Sequence, residues 1–179
     1  MKDLVDRILS EYSLPWNGAH GVSHWARVLE NGRRLAGQTG ANLAVVELFA
    51  VLHDSKRLNE GIDNGHGRRG AEFAGKLRGH YFELGDQEFE LLALACADHT
   101  NGATQANITV QTCWDADRLD LYRVGIYPRA ERLCTEAARQ PDTFEWALER
   151  GRIRFVPELV LKEWSVNLKP IDTLHDGDR

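Results

Sequence analysis

The stretch "LFAVLHDSKR", residues 48–57, decides how the rest of the chain is read. It closes a segment, residues 42–54, in which nearly every side chain is apolar, the pattern of a helix buried on all sides. Yet that segment ends in an imidazole and a carboxylate side by side, His53 and Asp54. A carboxylate buried alone is costly or takes up a proton. Something must compensate it.

Working outward from there, helical periodicity dominates and nothing alternates at period two. Helices are expected over residues 3–12, 23–36, 42–54, 67–77, 87–99, 109–124 and 128–139, with one or two more between 143 and 164. Pro128 suits a first helical turn, where its missing N–H has no partner to lose. The breaks fall at "SLPWNGAHG" (13–21), "GQTGAN" (37–42) and "NEGIDNGHG" (59–67), all rich in turn formers. The tail "IDTLHDGDR" (171–179) is polar and expected to be loosely held. The fold class is all-α, and 179 residues suit one domain with a sizeable core.

The formal net charge of −5 argues against a nucleic-acid polymer as partner. Three cysteines without a CxxC pair, behind a charged N-terminal segment, read as a reduced, cytoplasmic protein. The longest apolar run, "LAVVELFAVL", carries Glu47 and falls short of a membrane span. A homodimer is compatible with the sequence.

Placing the polar residues on these helices brings out a pattern. His99 continues the apolar stripe Phe89, Leu92, Cys96, and Asp117 falls among Val110, Cys113, Leu121 and Val124. His66 lies one turn before Gly70, Phe73 and Leu77, and His24 one turn before Val28. Six candidate ligands, His24, His53, Asp54, His66, His99 and Asp117, thus come from five successive helices toward a common interior. Any one of these histidines alone reads as a hydrogen-bonded core residue. Together, four imidazoles and two carboxylates suit a divalent transition metal such as Mn, Fe, Co, Ni or Zn. Asp115, about 200° round the helix from Asp117, points elsewhere; it and Asp98 are candidates for orienting ligand histidines. Trp16, Trp25 and Trp114 wall a pocket or pack the core.

The order His24, His53–Asp54, then a distant Asp117 resembles the HD superfamily of metal-dependent phosphohydrolases. The surrounding text, "HGVSHWARVLENG", "LFAVLHDSKR", "GHGRRGAEFA" and "CWDADRLDLYRVG", is similar to an uncharacterised bacterial branch of it. The resemblance implies a helical bundle with the metal between its central helices. Residues 19–125 would form the HD metal-binding core, 1–18 a helix and loop of the same domain, and 126–179 C-terminal helices and a tail packing on the core. It also implies that Asp54 bridges two ions, with His24, His53 and Asp117 on one and His66 and His99 on the other, though one ion remains an option. His80 competes with His66 but sits in the loop-like "RGHYFELGD". The "HDIGK" continuation and "GYP" motif of cyclic-dinucleotide phosphodiesterases are missing, which disfavours that subtype.

Phosphoryl transfer needs cationic donors for the developing charge. Lys56 and Arg118 are expected in catalysis with Asp54, and Arg57, Arg68 and Arg69 in substrate binding; Arg123 either contributes or caps its helix. His20 reads as a proton carrier or substrate contact at the pocket mouth, or as an inert loop histidine. The expected activity is hydrolysis of a phosphate ester of a small molecule or nucleotide by metal-activated water. The alternatives are a di-iron oxygenase on the same scaffold and a non-catalytic, metal-containing nucleotide-binding module.

Overall fold

The computed structural model describes residues 1–168, and the regular secondary structure among them is helical. The expectation of a loosely held tail at 171–179 lies outside the described residues. The principal helices are α1 (Lys2–Leu9), α2 (Val22–Thr39), α3 (Leu43–Leu52), α4 (His66–Leu77), α5 (Asp86–Asp98) and α6 (Ile108–Arg118). Three more follow: α7 (Glu136–Arg139), α8 (Pro141–Arg152) and α9 (Leu159–Lys162). No strand occurs among the described residues, only an isolated bridge between Arg78 and Phe82. No helix among them is long and apolar enough to cross a membrane.

Helix α3 is the axis of the bundle. Its start is fixed by Asn42, whose side chain accepts a hydrogen bond from the Val45 N–H at 3.2 Å. From Val45 to Leu52 every residue but Glu47 is buried, and α2, α5 and α6 pack around it. Burying each large aliphatic or aromatic side chain in such a core stabilises by about 1.5–3 kcal/mol. The Ser55 hydroxyl donates to the Leu52 carbonyl at 2.7 Å as the helix gives way to a tight turn, so Asp54 follows the helix rather than belonging to it. His53 and Asp54 therefore leave the apolar axis at its inner end.

Two glycines bring α4 onto that end. A Cβ at Gly70 would meet the Leu52 carbonyl oxygen at 2.6 Å, and one at Gly67 would meet the Cys96 carbonyl oxygen at 2.2 Å and His99 Nδ1 at 3.0 Å. Only a residue without Cβ permits this approach, and the approach carries His66 to the bundle interior. Gly67→Ala is expected to destabilise by about 1–3 kcal/mol, as overpacking does. It should also weaken metal binding in a calorimetric titration, because the new methyl strikes the bond that orients His99.

Two expected helices break differently. Residues 109–124 do not form one rod: α6 ends at Arg118 and a 3-10 turn covers Leu121–Val124. The break turns Asp120 and Arg123 inward and leaves Val124 exposed, contrary to the inner-face expectation for it. Residues 128–139 hold only a 3-10 turn, Ala130–Arg132, and α7. The cause is Asp115, buried on α6, whose carboxylate accepts from the Cys134 N–H (2.7 Å), the Thr135 N–H (2.7 Å) and the Thr135 hydroxyl (2.8 Å). Those backbone donors are therefore lost to a continuous helix. Pro141, not Pro128, occupies a first helical turn, at the start of α8.

Candidate metal centre

The six candidate ligands meet. His24 near the start of α2, the His53–Asp54 pair after α3, His66 opening α4, His99 capping α5 and Asp117 on α6 are all buried. They form two sets joined by one carboxylate. In the first, His24 Nε2 lies 3.1 Å from His53 Nε2 and 3.4 Å from Asp117 Oδ1, while Asp54 Oδ2 is 3.6 Å from His24 Nε2 and 3.7 Å from His53 Nε2. In the second, His66 Nε2 lies 3.0 Å from His99 Nε2, and Asp54 Oδ1 is 3.1 and 3.6 Å from those two nitrogens. One oxygen of Asp54 faces each set. His53, Asp54 and His99 also group closely enough to share one ion, so the two sets are continuous.

The hydrogen bonds at the far side of each ring say what faces inward. His24 Nδ1 donates to Asp120 Oδ2 (2.8 Å), His53 Nδ1 to the Phe49 carbonyl (3.1 Å), His66 Nδ1 to the Asp63 carbonyl (2.6 Å) and His99 Nδ1 to the Cys96 carbonyl (2.7 Å). With the proton on Nδ1, every Nε2 presents a lone pair to the centre. Lone pairs 3.0–3.1 Å apart repel unless a cation lies between or beside them. Asp54 Oδ1 is moreover a buried carboxylate oxygen without a hydrogen bond, an orphan of the kind a metal satisfies. The donor set fits a divalent transition ion.

Electrostatics agree. Burial drives His53 down to about 4, and burial, with Arg123 and His53 beside it, drives His24 well below the ordinary imidazole value. Both are neutral donors at pH 7. Burial would raise Asp54 and Asp117, but in acid a proton taken up by the surrounding imidazoles, His53 foremost, favours the carboxylate forms and keeps both below the usual carboxylate range. His99 moves up, because Asp54 and Asp117 outweigh the effect of its burial.

Of the remaining candidates, His20 and Arg57 reach the centre. His20 Nδ1 donates to Asp54 Oδ2 at 2.7 Å, and its side chain keeps 14% exposure, against 0–5% for the ligand histidines. Arg57 Nη1 lies 3.1 Å from His66 Nε2 and 3.5 Å from Asp54 Oδ1, while its Nη2 donates to the Gly61 carbonyl. Arg123 joins them: it donates to the Ala19 and Asp120 carbonyls and brings Nη2 within 3.4 Å of His20 Nδ1.

The expectation for four other cations is corrected. Lys56 directs its ammonium to Glu11 (2.5 Å) and over the Phe73 ring (3.8 Å). Arg118 is spent on the Arg132 and Ala103 carbonyls and Cys134 Sγ, and it braces the 103–134 segment. Arg69 grips Asp63 through both carboxylate oxygens, closing the loop before α4. Arg68 is 78% exposed beside Glu72 on the outer face of α4. On α4 and α6 chain neighbours lie 100° apart, which turns Arg68 and Arg118 away from the ligands beside them; Lys56 leaves from a turn.

Asp120 and Arg27 had no place in the sequence reading. Arg27 grips Asp120 with Nε (2.7 Å) and Nη2 (3.0 Å), and Asp120 in turn fixes His24. Asp115, expected as an orienting carboxylate, does its work on residues 134 and 135 instead. The available signal was position, since Asp120 follows Asp117 by three residues, one helical turn. Asp120→Asn is expected to weaken metal affinity by roughly 10–100-fold, the usual cost of losing such a partner. A competitive metal titration reads this directly. The unfolding midpoint should drop as well, because Arg27 then faces a neutral group.

Trp25 and Trp114 are core residues, and Trp16 is half-exposed. His80 is exposed in the turn after α4 and takes no part.

Among solved structures, the chain is similar to the crystal structure of a predicted HD superfamily hydrolase from an uncultured Thermotogales bacterium, determined at 1.45 Å resolution. The two are 31% identical over 91% of this chain and 88% of that one, with a TM-score of 0.58. No protein-family model matches the chain, and no curated protein does. The chain belongs to the HD superfamily, and its buried histidines and aspartates lie between the central helices.

Proposed function

We propose that this HD protein is a metal-dependent phosphohydrolase that cleaves a phosphate ester of a small molecule, with nucleotides among the candidate substrates. The observation that carries the reading is Asp54, one oxygen toward each imidazole set, with the cationic Arg57 and Arg123 at the same centre. Similarity to the Thermotogales protein, itself a predicted hydrolase, supports a hydrolase of the HD type.

A divalent metal held by these ligands supplies Lewis-acid charge that acidifies water and polarises a phosphoryl oxygen. Asp117 and His20 are the members with appreciable exposure, 13% and 14% of their side chains, so the phosphoryl group enters on their side. There Arg123 Nη2 offers a guanidinium to phosphoryl oxygens. His20, tied through Nδ1 to Asp54 and partly exposed, is the group that accepts a proton from the attacking water and returns one to the leaving oxygen. Arg57 donates to His66 Nε2 at 3.1 Å, the nitrogen that would otherwise serve as a metal ligand. Released from that contact, its guanidinium would be placed to meet negative charge.

The test is phosphate release from a panel of phosphomonoesters, phosphodiesters and nucleotides, using protein loaded in turn with Mn, Fe, Co, Ni and Zn. Release from one substrate class with at least one metal is expected. Metal-loaded protein that releases none overturns the proposal. Oxygen consumption with iron alone would then point to an oxygenase, and nucleotide binding without turnover to a binding module.

A further inference from the structure

A cavity of about 580 Å³ opens between α1, the turn after α3, and α4. That volume lies within the roughly 300–1,000 Å³ typical of small-molecule sites. None of the six candidate metal ligands lines it. Its walls carry five cationic side chains, Arg7, Lys56, Arg57, Arg69 and Lys76, against two carboxylates, Glu11 and Glu72. This concentration of positive charge occurs in a chain whose net charge is −5.

Arg69 is matched by Asp63, and Arg57 stands 3.5 Å from Asp54, but the carboxylates present do not balance the other three cations. Glu11 serves two of them at once, taking Arg7 on one oxygen and Lys56 on the other. Glu72 pairs at 3.8 Å with the outward-facing Arg68. Lys76 has no ion-pair partner among the described residues. Phe73, nearly buried, forms the floor: the Lys56 ammonium stands 3.8 Å from its ring centroid and the Arg7 guanidinium 5.9 Å. The cations are thus held in place over an apolar base. Tyr81, half-exposed, stands at the rim.

Like charges gathered in a concave, low-dielectric wall repel one another and focus a positive potential into the opening. A bound anion removes that repulsion, and guanidinium forks match phosphate oxygens in pairs. We propose that this cavity, which shares Arg57 with the metal centre but none of its six ligands, is a second binding site for a compact polyanion of the oligophosphate class. The proposal stands independently of whether the metal centre hydrolyses phosphate esters.

The test titrates tripolyphosphate, and separately a nucleoside triphosphate, into metal-free full-length protein at low salt in a calorimeter. Wild type and Asp117→Asn, altered only at the metal centre, should bind alike. The Arg7→Gln/Lys76→Gln double variant should bind at least about tenfold more weakly, having lost two charge-assisted contacts. Lys76→Gln alone, at an exposed position, should show a several-fold loss in the same direction and guards against a folding defect in the double variant. Tighter binding of the nucleoside triphosphate assigns a nucleotide, and equal binding assigns the bare phosphate chain. No binding at millimolar concentration overturns the proposal. So does loss of binding in Asp117→Asn with the double variant unchanged, which places the anion at the metal centre.

Discussion

Asp54→Ala is expected to empty the centre of metal while leaving the helical bundle folded. Each oxygen of this carboxylate faces one imidazole set, at 3.6–3.7 Å on one side and 3.1–3.6 Å on the other. Its removal therefore takes a ligand from both sets at once. Losing a partner that merely orients a ligand costs roughly 10–100-fold in affinity. Losing the shared ligand should cost more than about 100-fold for either set, and hydrolysis should fall with occupancy. Asp54→Asn keeps the shape and removes the charge, so it should behave alike. Metal content by elemental analysis beside helical circular dichroism checks the result. Full metal content in Asp54→Ala would exclude the bridging role.

The second large effect is on stability. Without metal the protein holds inward-facing imidazole nitrogens 3.0–3.1 Å apart and an orphaned carboxylate oxygen in its interior. A ligand that binds only the folded state stabilises it by about 4 kcal/mol at a thousandfold excess over its dissociation constant. In a domain of this size each kcal/mol moves the midpoint by about 2–4 °C. A strong chelator should therefore lower Tm by about 8–16 °C, and returning the divalent ion should restore it. Scanning calorimetry reads both directions. An unchanged Tm would mean that no ion occupies the centre in the folded protein.

What could be read from the sequence was what depends on neighbours along the chain. The apolar segment of α3 and the stripes of α2, α4 and α5 follow local periodicity, and they carried His24, His53, His66 and His99 to inward positions. Asp117 was found because it shares the apolar face of α6 with Val110 and Cys113. Features settled by distant partners were not legible. Asp115 captures backbone N–H groups nineteen and twenty residues away and cancels the helix expected over 128–139. Asp120 and Arg27 find each other across ninety-three positions. Lys56 and Arg118 sit next to ligands in the chain yet point to Glu11 and to the Arg132 and Ala103 carbonyls. Arg57 reaches the centre from a turn, where no helical phase applies.

Crystals grown with manganese and measured for anomalous scattering test the central claim most directly. Two peaks are predicted, one among His24, His53 and Asp117, the other between His66 and His99, with the Asp54 carboxylate separating them. Manganese bound elsewhere on the protein, with no peak within reach of His53 or Asp54, would contradict the account.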